Sequence, residues 1–301
     1  MRFDKLDLNL LVALDTLITE RNITRAAEKL HLSQSAMSNA LGRLRSYFGD
    51  PLLVPVLRRM ELTPRALALK DPLRDVLVRI RAAIEVQPEF DPTRSDRVFK
   101  VFASDYTLQT ILPQTVALAA AQNSATQFRF LPLLGIPARA LESGNADVLV
   151  IPQVYCSNDH PTERLLTEEF VCVVWSASEY ARTGLSLAQY RDAEHVVMVP
   201  IEDGAAAYEG RFMESSGLSR KVAVTTYSFS SVPLLVVGTP YVATVHRRLA
   251  QALAQSHPLC LLTCPVPIPP MELLMQWHEY RSMDLGIVWL RSLMQRAIIT
   301  P

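Results

Sequence analysis

The sequence predicts an α/β protein that begins with a separate all-α module. Three observations carry this. Over residues 8–86 apolar side chains recur every three or four positions, the period of a helix buried along one stripe. From residue 98 onward short apolar runs alternate with helical stretches, the pattern of strands linked by crossover helices. The charge is also divided. Residues 1–90 hold 14 Lys and Arg against 11 Asp and Glu, and residues 91–301 hold 16 against 19, behind a net charge of zero.

The first helix follows from Leu8, Leu11, Val12, Leu14, Leu17 and Ile18 and ends at Arg21-Asn22. Thr24 is expected to cap a short second helix with Ala26, Ala27 and Leu30 inward. His31-Leu32 turns the chain. Ser33 caps a third helix running to about Phe48, with Met37, Ala40, Leu41, Leu44 and Phe48 on one stripe. Its other side carries Gln34, Ser35, Ser38, Asn39, Gly42, Arg43, Arg45 and Ser46. Two short helices joined by a tight turn, the second polar outside, describe a helix-turn-helix.

The chemistry of that outer side suits a DNA groove. Small polar side chains allow close approach, Gln34 and Asn39 can pair bidentately with adenine, and Arg45 can reach guanine or a phosphate. Thr24, Arg25, Ser33, Ser35, Ser38 and Arg43 complete the expected contact set. Residues 21–59 hold seven basic residues against two acidic ones, the local positive footprint that DNA binding needs.

Gly49-Asp50-Pro51 is a turn signal. Leu52–Val54 and Glu61-Leu62 read as a strand pair around a basic tip, Leu57–Met60. That makes a wing, with Arg58 and Arg59 set for phosphate or minor-groove contact. Thr63-Pro64 then opens a long helix over 64–86. Leu69, Leu73, Leu77 (or Val76), Ile80 and Ile84 give it an a/d-like seam expected to pair two copies of the chain, and Pro72 is expected to kink it. The expected domains are 1–63, a linker helix within 64–90, and 91–301.

Bulk composition removes several function classes. Ten glycines in 301 residues, with neither GxGxxG nor GxxxxGK[ST], argue against a nucleotide loop. No apolar run approaches a membrane span, and Asp4, Asp7 and Asp15 interrupt the N-terminal apolar stretch, so a cytoplasmic protein without a signal peptide is expected. Cys156, Cys172, Cys260 and Cys264 form no zinc spacing and read as buried reduced thiols, with a Cys260–Cys264 redox pair as the alternative. Six scattered histidines and no hydrolase, kinase or metalloprotease motif argue against an enzyme. No cofactor and no metal site is expected.

The run Ser33–Leu44 (SQSAMSNALGRL), preceded by Ala26–Leu32 (AAEKLHL) and followed by the wing and linker helix, resembles the LysR-type transcriptional regulators. Two positions depart from that pattern. Ser35 stands where Pro is common, and Pro55 stands where the wing usually carries Arg. Met1–Asp15 resembles the branch of flavonoid-responsive nodulation regulators. Gln276–Tyr280 with Asp284–Arg291 is similar both to that branch and to salicylate-responsive regulators of aromatic degradation. The resemblance implies promoter DNA, a small effector, a homodimer or homotetramer, activation, and contact with RNA polymerase as plausible. It also implies a two-subdomain, periplasmic-binding-protein-like effector domain, with about 92–166 plus 265–301 in one subdomain and about 167–264 in the other.

Pro88, Pro92 and the charged stretch 91–97 mark a hinge. Strands are expected at 98–103, 128–133, 148–151, 170–175, 196–199, 222–226, 241–244, 259–262 and 271–277, and helices at 108–121, 137–143, 205–215, 231–237, 247–254 and 284–296. Such alternation implies parallel sheets. Ligands in them sit beyond the carboxyl ends of the strands. That rule selects Ser104, Asp105, Tyr106, Thr107, Pro152, Gln153, Val154, Pro200, Ile201, Tyr227, Ser228, Phe229, Ser230, Val245, His246, Trp277 and His278. The set is largely apolar or aromatic, which suits an aromatic effector bearing a phenol or a carboxylate. The competing reading is an α/β binding protein or enzyme whose N-terminal helices serve only to dimerise it.

Overall fold

The computed structural model describes residues 7–57, 59–84, 89–200 and 207–299. Arg58, Pro88, Ile201 and the end of the linker helix past Ile84 therefore lie outside the described residues. The chain divides into two compact units, residues 1–86 with 142–144 and residues 87–141 with 145–301.

The first unit packs three helices, a two-stranded wing and a fourth helix on one apolar core. Helix α1 (Leu8–Glu20) is capped by Asp7, whose carboxylate accepts from Asn9 N, and ends at Arg21 in the left-handed region, φ +46°. Helix α2 (Ile23–Lys29) is capped by Asn22, which accepts from Arg25 N. This corrects the expectation for Thr24. Asn22 holds the extended φ/ψ of a cap, and Thr24 lies one residue inside the helix, exposed. Helix α3 (Gln34–Phe48) is capped by Ser33 as its sequence predicts, and buries Met37, Leu41 and Leu44.

Strands β1 (Leu53–Val56) and β2 (Arg59–Leu62) pair antiparallel with Val56 opposite Arg59, so Leu57 stands at the wing tip. Arg59 lies in the return strand rather than the tip. Leu57 has φ +54°, a conformation that costs a residue with a Cβ roughly 1–2 kcal/mol. Asp50 Oδ1 accepts from Leu52 N and Thr63 Oγ1, each at 2.7 Å. The Thr63 hydroxyl and the Leu52 amide hold the Asp50 carboxyl below its usual range. Thr63 Oγ1 in turn accepts from Ala66 N, capping helix α4 (Pro64–Ile84), which continues through Pro72.

The seam of α4 is redistributed. Leu69, Leu73 and Leu77 turn into the core shared with α1, and Arg74 Nε donates to Asp15 Oδ1 at 2.8 Å to fix that contact. The large apolar side chains left open among the described residues are Leu67 (51% exposed) near the start and, further on, Val76 (41%) and Ile84 (74%), with half-buried Ile80 between the last two at spacings of four.

The second unit holds two five-stranded mixed sheets. The first has the order β4-β3-β5-β12-β6, from β3 (Val98–Ala103), β4 (Gln127–Leu131), β5 (Val148–Pro152), β6 (Thr162–Glu168) and β12 (Met271–Gln276). The second has the order β11-β7-β10-β8-β9, from β7 (Phe170–Trp175), β8 (Glu194–Met198), β9 (Lys221–Thr226), β10 (Val242–His246) and β11 (Leu259–Thr263). The expected all-parallel pairing is corrected. β12 runs antiparallel to β5 and β6, and β7 runs antiparallel to β10 and β11. Both exceptions arise where the chain passes between the sheets, after β6 and after β11. β6 is absent from the sequence reading, because Thr-Glu-Arg-Leu-Leu-Thr-Glu has neither apolar continuity nor clean alternation.

The expected helix over 108–121 is two, α5 (Asp105–Thr110) and α6 (Leu112–Ala121), broken just before Pro113. The expected helix over 231–237 is a 3-10 turn at Leu234–Val236. Helices α7 (Ala138–Glu142), α10 (Tyr208–Ser215), α11 (Arg247–Ala254) and α12 (Leu285–Ile299) fall near their expected places, and two short helices, α8 (Glu179–Thr183) and α9 (Leu187–Asp192), are additional. The thiols also depart from expectation. Only Cys172 is fully buried; Cys260 and Cys264 are half-buried and pack on the same cluster as Cys172. No helix among the described residues is long and apolar enough to cross a membrane.

Candidate functional site

Two surfaces carry the chemistry, one on each unit. On the first, the outer side of α3 presents Gln34, Ser35, Ser38, Asn39 and Arg43, all exposed. Arg43 makes no ion pair among the described residues, and Thr24 and Arg25 are exposed on α2. Ser33 is committed to its cap and lies 3.0 Å from Ser35 Oγ. Arg25 donates to Glu20 O at 2.7 Å, which ties it to the end of α1.

Arg45 corrects the sequence reading. Its guanidinium donates to Pro51 O at 2.8 Å and to Leu53 O at 2.9 Å. It therefore anchors the start of the wing to α3 instead of reaching for a base. Gly42 lies mid-helix on the outer side, and a Cβ built there meets nothing within 4 Å. Packing does not require this glycine.

On the second unit, the carboxyl ends of β3, β4 and β5 face those of β8, β9 and β10 across a cleft of about 700 Å³. That is the size of a site that encloses a drug-sized ligand. Ser104, Asp105, Tyr106, Pro152, Pro200, Phe229 and His246 line it as expected. Loops beyond the strand ends add Leu133, Leu134, Tyr155, Tyr227 and Ser228, and Met198, Tyr208, Met271 and Leu273 complete the wall. Tyr227 and Ser228 follow β9 as the strand-end rule expects; Leu133, Leu134 and Tyr155 were missed because loop positions have no period to betray which way they face.

Seven expected contacts do not line the cleft. Thr107 is fully buried beneath Ser104, whose hydroxyl caps α5. Gln153 and Val154 are exposed in a 3-10 turn that offers Tyr155 instead. Val245 is buried within β10. Ser230 is bound to Asp105. Trp277 donates from Nε1 to Ser282 Oγ at 3.1 Å and lies 3.6 Å under the Arg291 guanidinium. His278 is buried, accepts from Tyr280 N and packs on His160. Trp277 and His278 follow β12, whose antiparallel direction points its end away from the cleft.

Two acidic groups join the lobes. Asp105 Oδ2 accepts from Ser228 Oγ at 2.7 Å, Ser230 N at 2.9 Å and Ser230 Oγ at 3.0 Å, bridging the first sheet to the loop after β9. Tyr106 donates to Glu168, the last residue of β6, and Arg248 N and Glu169 N donate to the same carboxylate. Burial raises the Glu168 carboxyl above its usual range.

His246 ends β10 against the cleft wall. Its ring stacks on Tyr106 at 4.2 Å and lies 5.0 Å from both Phe170 and Phe229. Burial pulls its pKa down to about 4, against the pull of Asp105, and Nδ1 has no hydrogen-bond partner. The imidazole is neutral at physiological pH and can donate or accept one further bond.

The cleft is poor in positive charge. None of its described lining is Lys or Arg. Residues 201–206, between Pro200 and Ala207, read Ile-Glu-Asp-Gly-Ala-Ala, with two acids and no base. Arg247 at the start of α11 is paired with Glu169 at 2.9 Å.

Comparison with known proteins agrees with this division. Residues 8–67 match the bacterial regulatory helix-turn-helix protein, lysR family, and residues 93–298 match the LysR substrate binding domain. The chain belongs to the LysR family of transcriptional regulators. This LysR-family regulator is 37% identical over 294 residues to Nodulation protein D 2 of Rhizobium leguminosarum bv. phaseoli, covering 98% of this chain and 92% of the relative. A probable transcriptional regulator from Pseudomonas aeruginosa superposes with a TM-score of 0.65 at 29% identity, covering 97% of each chain. A full-length OxyR variant from the same organism shares the fold at a TM-score of 0.77 and 16% identity, covering 96% of this chain and 95% of its own. As a member of the family the protein binds promoter DNA, answers to a small-molecule effector and oligomerises; it is a regulator, not an enzyme.

Proposed function

We propose that this regulator activates its target genes in response to an uncharged, multi-ring phenolic compound of the flavonoid type, bound in the cleft of the second unit. One observation carries this reading. The cleft has the volume for two or three rings, aromatic and aliphatic walls, and no cation in its described lining. A carboxylate buried there would have no counter-charge, and burying an unpaired charge is expensive. The salicylate-like option weakens on that ground. A neutral phenol or ketone needs only a hydrogen-bond partner, and the Ser104 hydroxyl on the cleft wall supplies one. The similarity to nodulation proteins points the same way.

The test is a thermal-shift panel at neutral pH with a flavone, a flavanone, salicylate, phenol and a chlorinated hydroquinone. A flavonoid at a hundred times its Kd is expected to stabilise the second unit by about 2.7 kcal/mol, with no shift from salicylate. A shift with salicylate and none with either flavonoid overturns the reading.

On the first unit, Gln34, Ser35, Ser38, Asn39 and Arg43 face the major groove, with Arg59 and the wing alongside. The open stripe Val76, Ile80 and Ile84 on α4 joins two copies, and dimers pair into tetramers that bring RNA polymerase to the promoter. Gly42 gives this arrangement a sharp check. Glycine within a helix costs about 1 kcal/mol relative to alanine, and the added methyl at Gly42 meets nothing. Gly42→Ala is expected to raise the melting temperature of the first unit while weakening DNA binding, because the methyl fills the gap the groove needs. Unchanged affinity in a DNA titration removes Gly42 from the groove face.

A further inference from the structure

The wing tip breaks two local rules at once. Leu57 holds φ +54° in a two-residue hairpin turn, where a residue without a Cβ, or Asn, is favoured. It is also fully exposed, at 101% of its reference surface, and Val56 beside it is 40% exposed. Nothing in the first unit repays either feature. A cationic side chain stands beside this apolar tip, exposed Arg59 opposite Val56. Strain held at an exposed position that packing does not explain points to a ligand contact.

We infer that Leu57 is an apolar wedge that enters the minor groove beside the recognition helix and partly unstacks a base step, with Arg59 held by the phosphates and groove walls. This rests on the reading that α3 and the wing grip DNA together. The chemistry of the partner follows from the tip. Aliphatic side chains inserted from the minor groove unstack one step and bend the duplex. Pyrimidine–purine steps yield most readily, so the wedge selects TA or CA/TG at a fixed offset from the α3 contacts. A leucine makes no phosphate contact, so it changes affinity without changing the number of counterions released.

The test uses the full-length protein and a duplex selected by it from a random library. Leu57→Gly and Leu57→Asn both tolerate the turn, so neither variant threatens the fold, and Leu57→Gly is expected to melt slightly higher than wild type. Both are expected to bind the selected duplex about tenfold more weakly, to bend it less in a circular-permutation assay, and to keep the wild-type slope of log K against log salt. Repeating the selection with Leu57→Gly is expected to lose the pyrimidine–purine preference at that offset. Unchanged affinity and bending overturn the wedge. So does a weaker affinity with a shallower salt slope, which marks lost phosphate contacts instead. Failure of the underlying grip is separable: Gln34→Ala with Asn39→Ala then leaves specific binding intact, whatever Leu57 does.

Discussion

Replacing Gln34 and Asn39 together with alanine will leave a folded protein that no longer distinguishes its operator from bulk DNA. Both side chains are exposed on the outer side of α3, and the buried face of that helix rests on Met37, Leu41 and Leu44. Neither substitution opens a cavity, and alanine favours the helix. Each amide can pair bidentately with an adenine edge, an interaction worth about 1–3 kcal/mol of discrimination. Losing both costs roughly a hundredfold or more in specific affinity, at tenfold per 1.4 kcal/mol. Non-specific affinity, carried by charge, is expected to persist with the wild-type salt slope, since no cation is removed. Gel-shift titrations of operator and random duplex at two salt concentrations read both quantities. Wild-type discrimination by the double variant would move the recognition surface away from α3. Arg45 does not belong in this experiment, because two wing carbonyls hold it.

Two buried histidines will pull the stability of the second unit down in mild acid. His195 and His246 are buried in β8 and β10, and burial lowers each pKa to about 4 from a model-peptide value of 6.5. The folded state therefore holds both rings neutral, and the unfolded chain binds protons first. Stability from this source is complete above pH 6.5, falls as pH drops below it, and is gone below about 4. Each ring accounts for roughly 3 kcal/mol at 1.36 kcal/mol per pH unit. That is a large share of the 5–15 kcal/mol that ordinarily holds a domain together.

Glu168 and Glu209 act in the opposite sense. Burial raises both carboxyls, so the folded state takes up their protons first and gains stability as pH falls. The comparison that isolates the imidazoles is wild type against His246→Gln. Trp175, Trp277 and Trp289, the three tryptophans of the chain, all lie in the second unit. Urea unfolding followed by tryptophan emission at several pH values therefore reports on that unit. The variant is expected to show a shallower loss between pH 6.5 and 4. An identical pH profile would mean that the His246 ring charges freely in the folded state.

Much of the fold was legible because its causes are local. Helix α3 is written in its own fifteen residues, through the Ser33 cap and the Met37–Leu41–Leu44 stripe. Thr63-Pro64 starts α4, and Val98–Ala103 is a strand within the predicted bounds. The cleft was located by a rule about strand ends, and nine of its expected residues line it. The rule failed at Trp277 and His278 because it presumes parallel strands. Whether β12 runs parallel or antiparallel depends on β5 and β6, more than a hundred residues earlier.

The same contrast divides the rest of the molecule. The sequence by itself determined the winged module, the linker helix, the alternating second unit and the polar face of α3, since caps, turns and apolar periods act within a few residues. Only the tertiary structure decided which apolar stripe of α4 is buried, that Arg45 serves the wing, that Asp105 latches two lobes, and that β6 is a strand. It alone left Leu57 bare. These outcomes depend on which distant partner a side chain meets. Leu73 and Val76 are equally apolar, and only the position of α1 makes one core and leaves the other exposed.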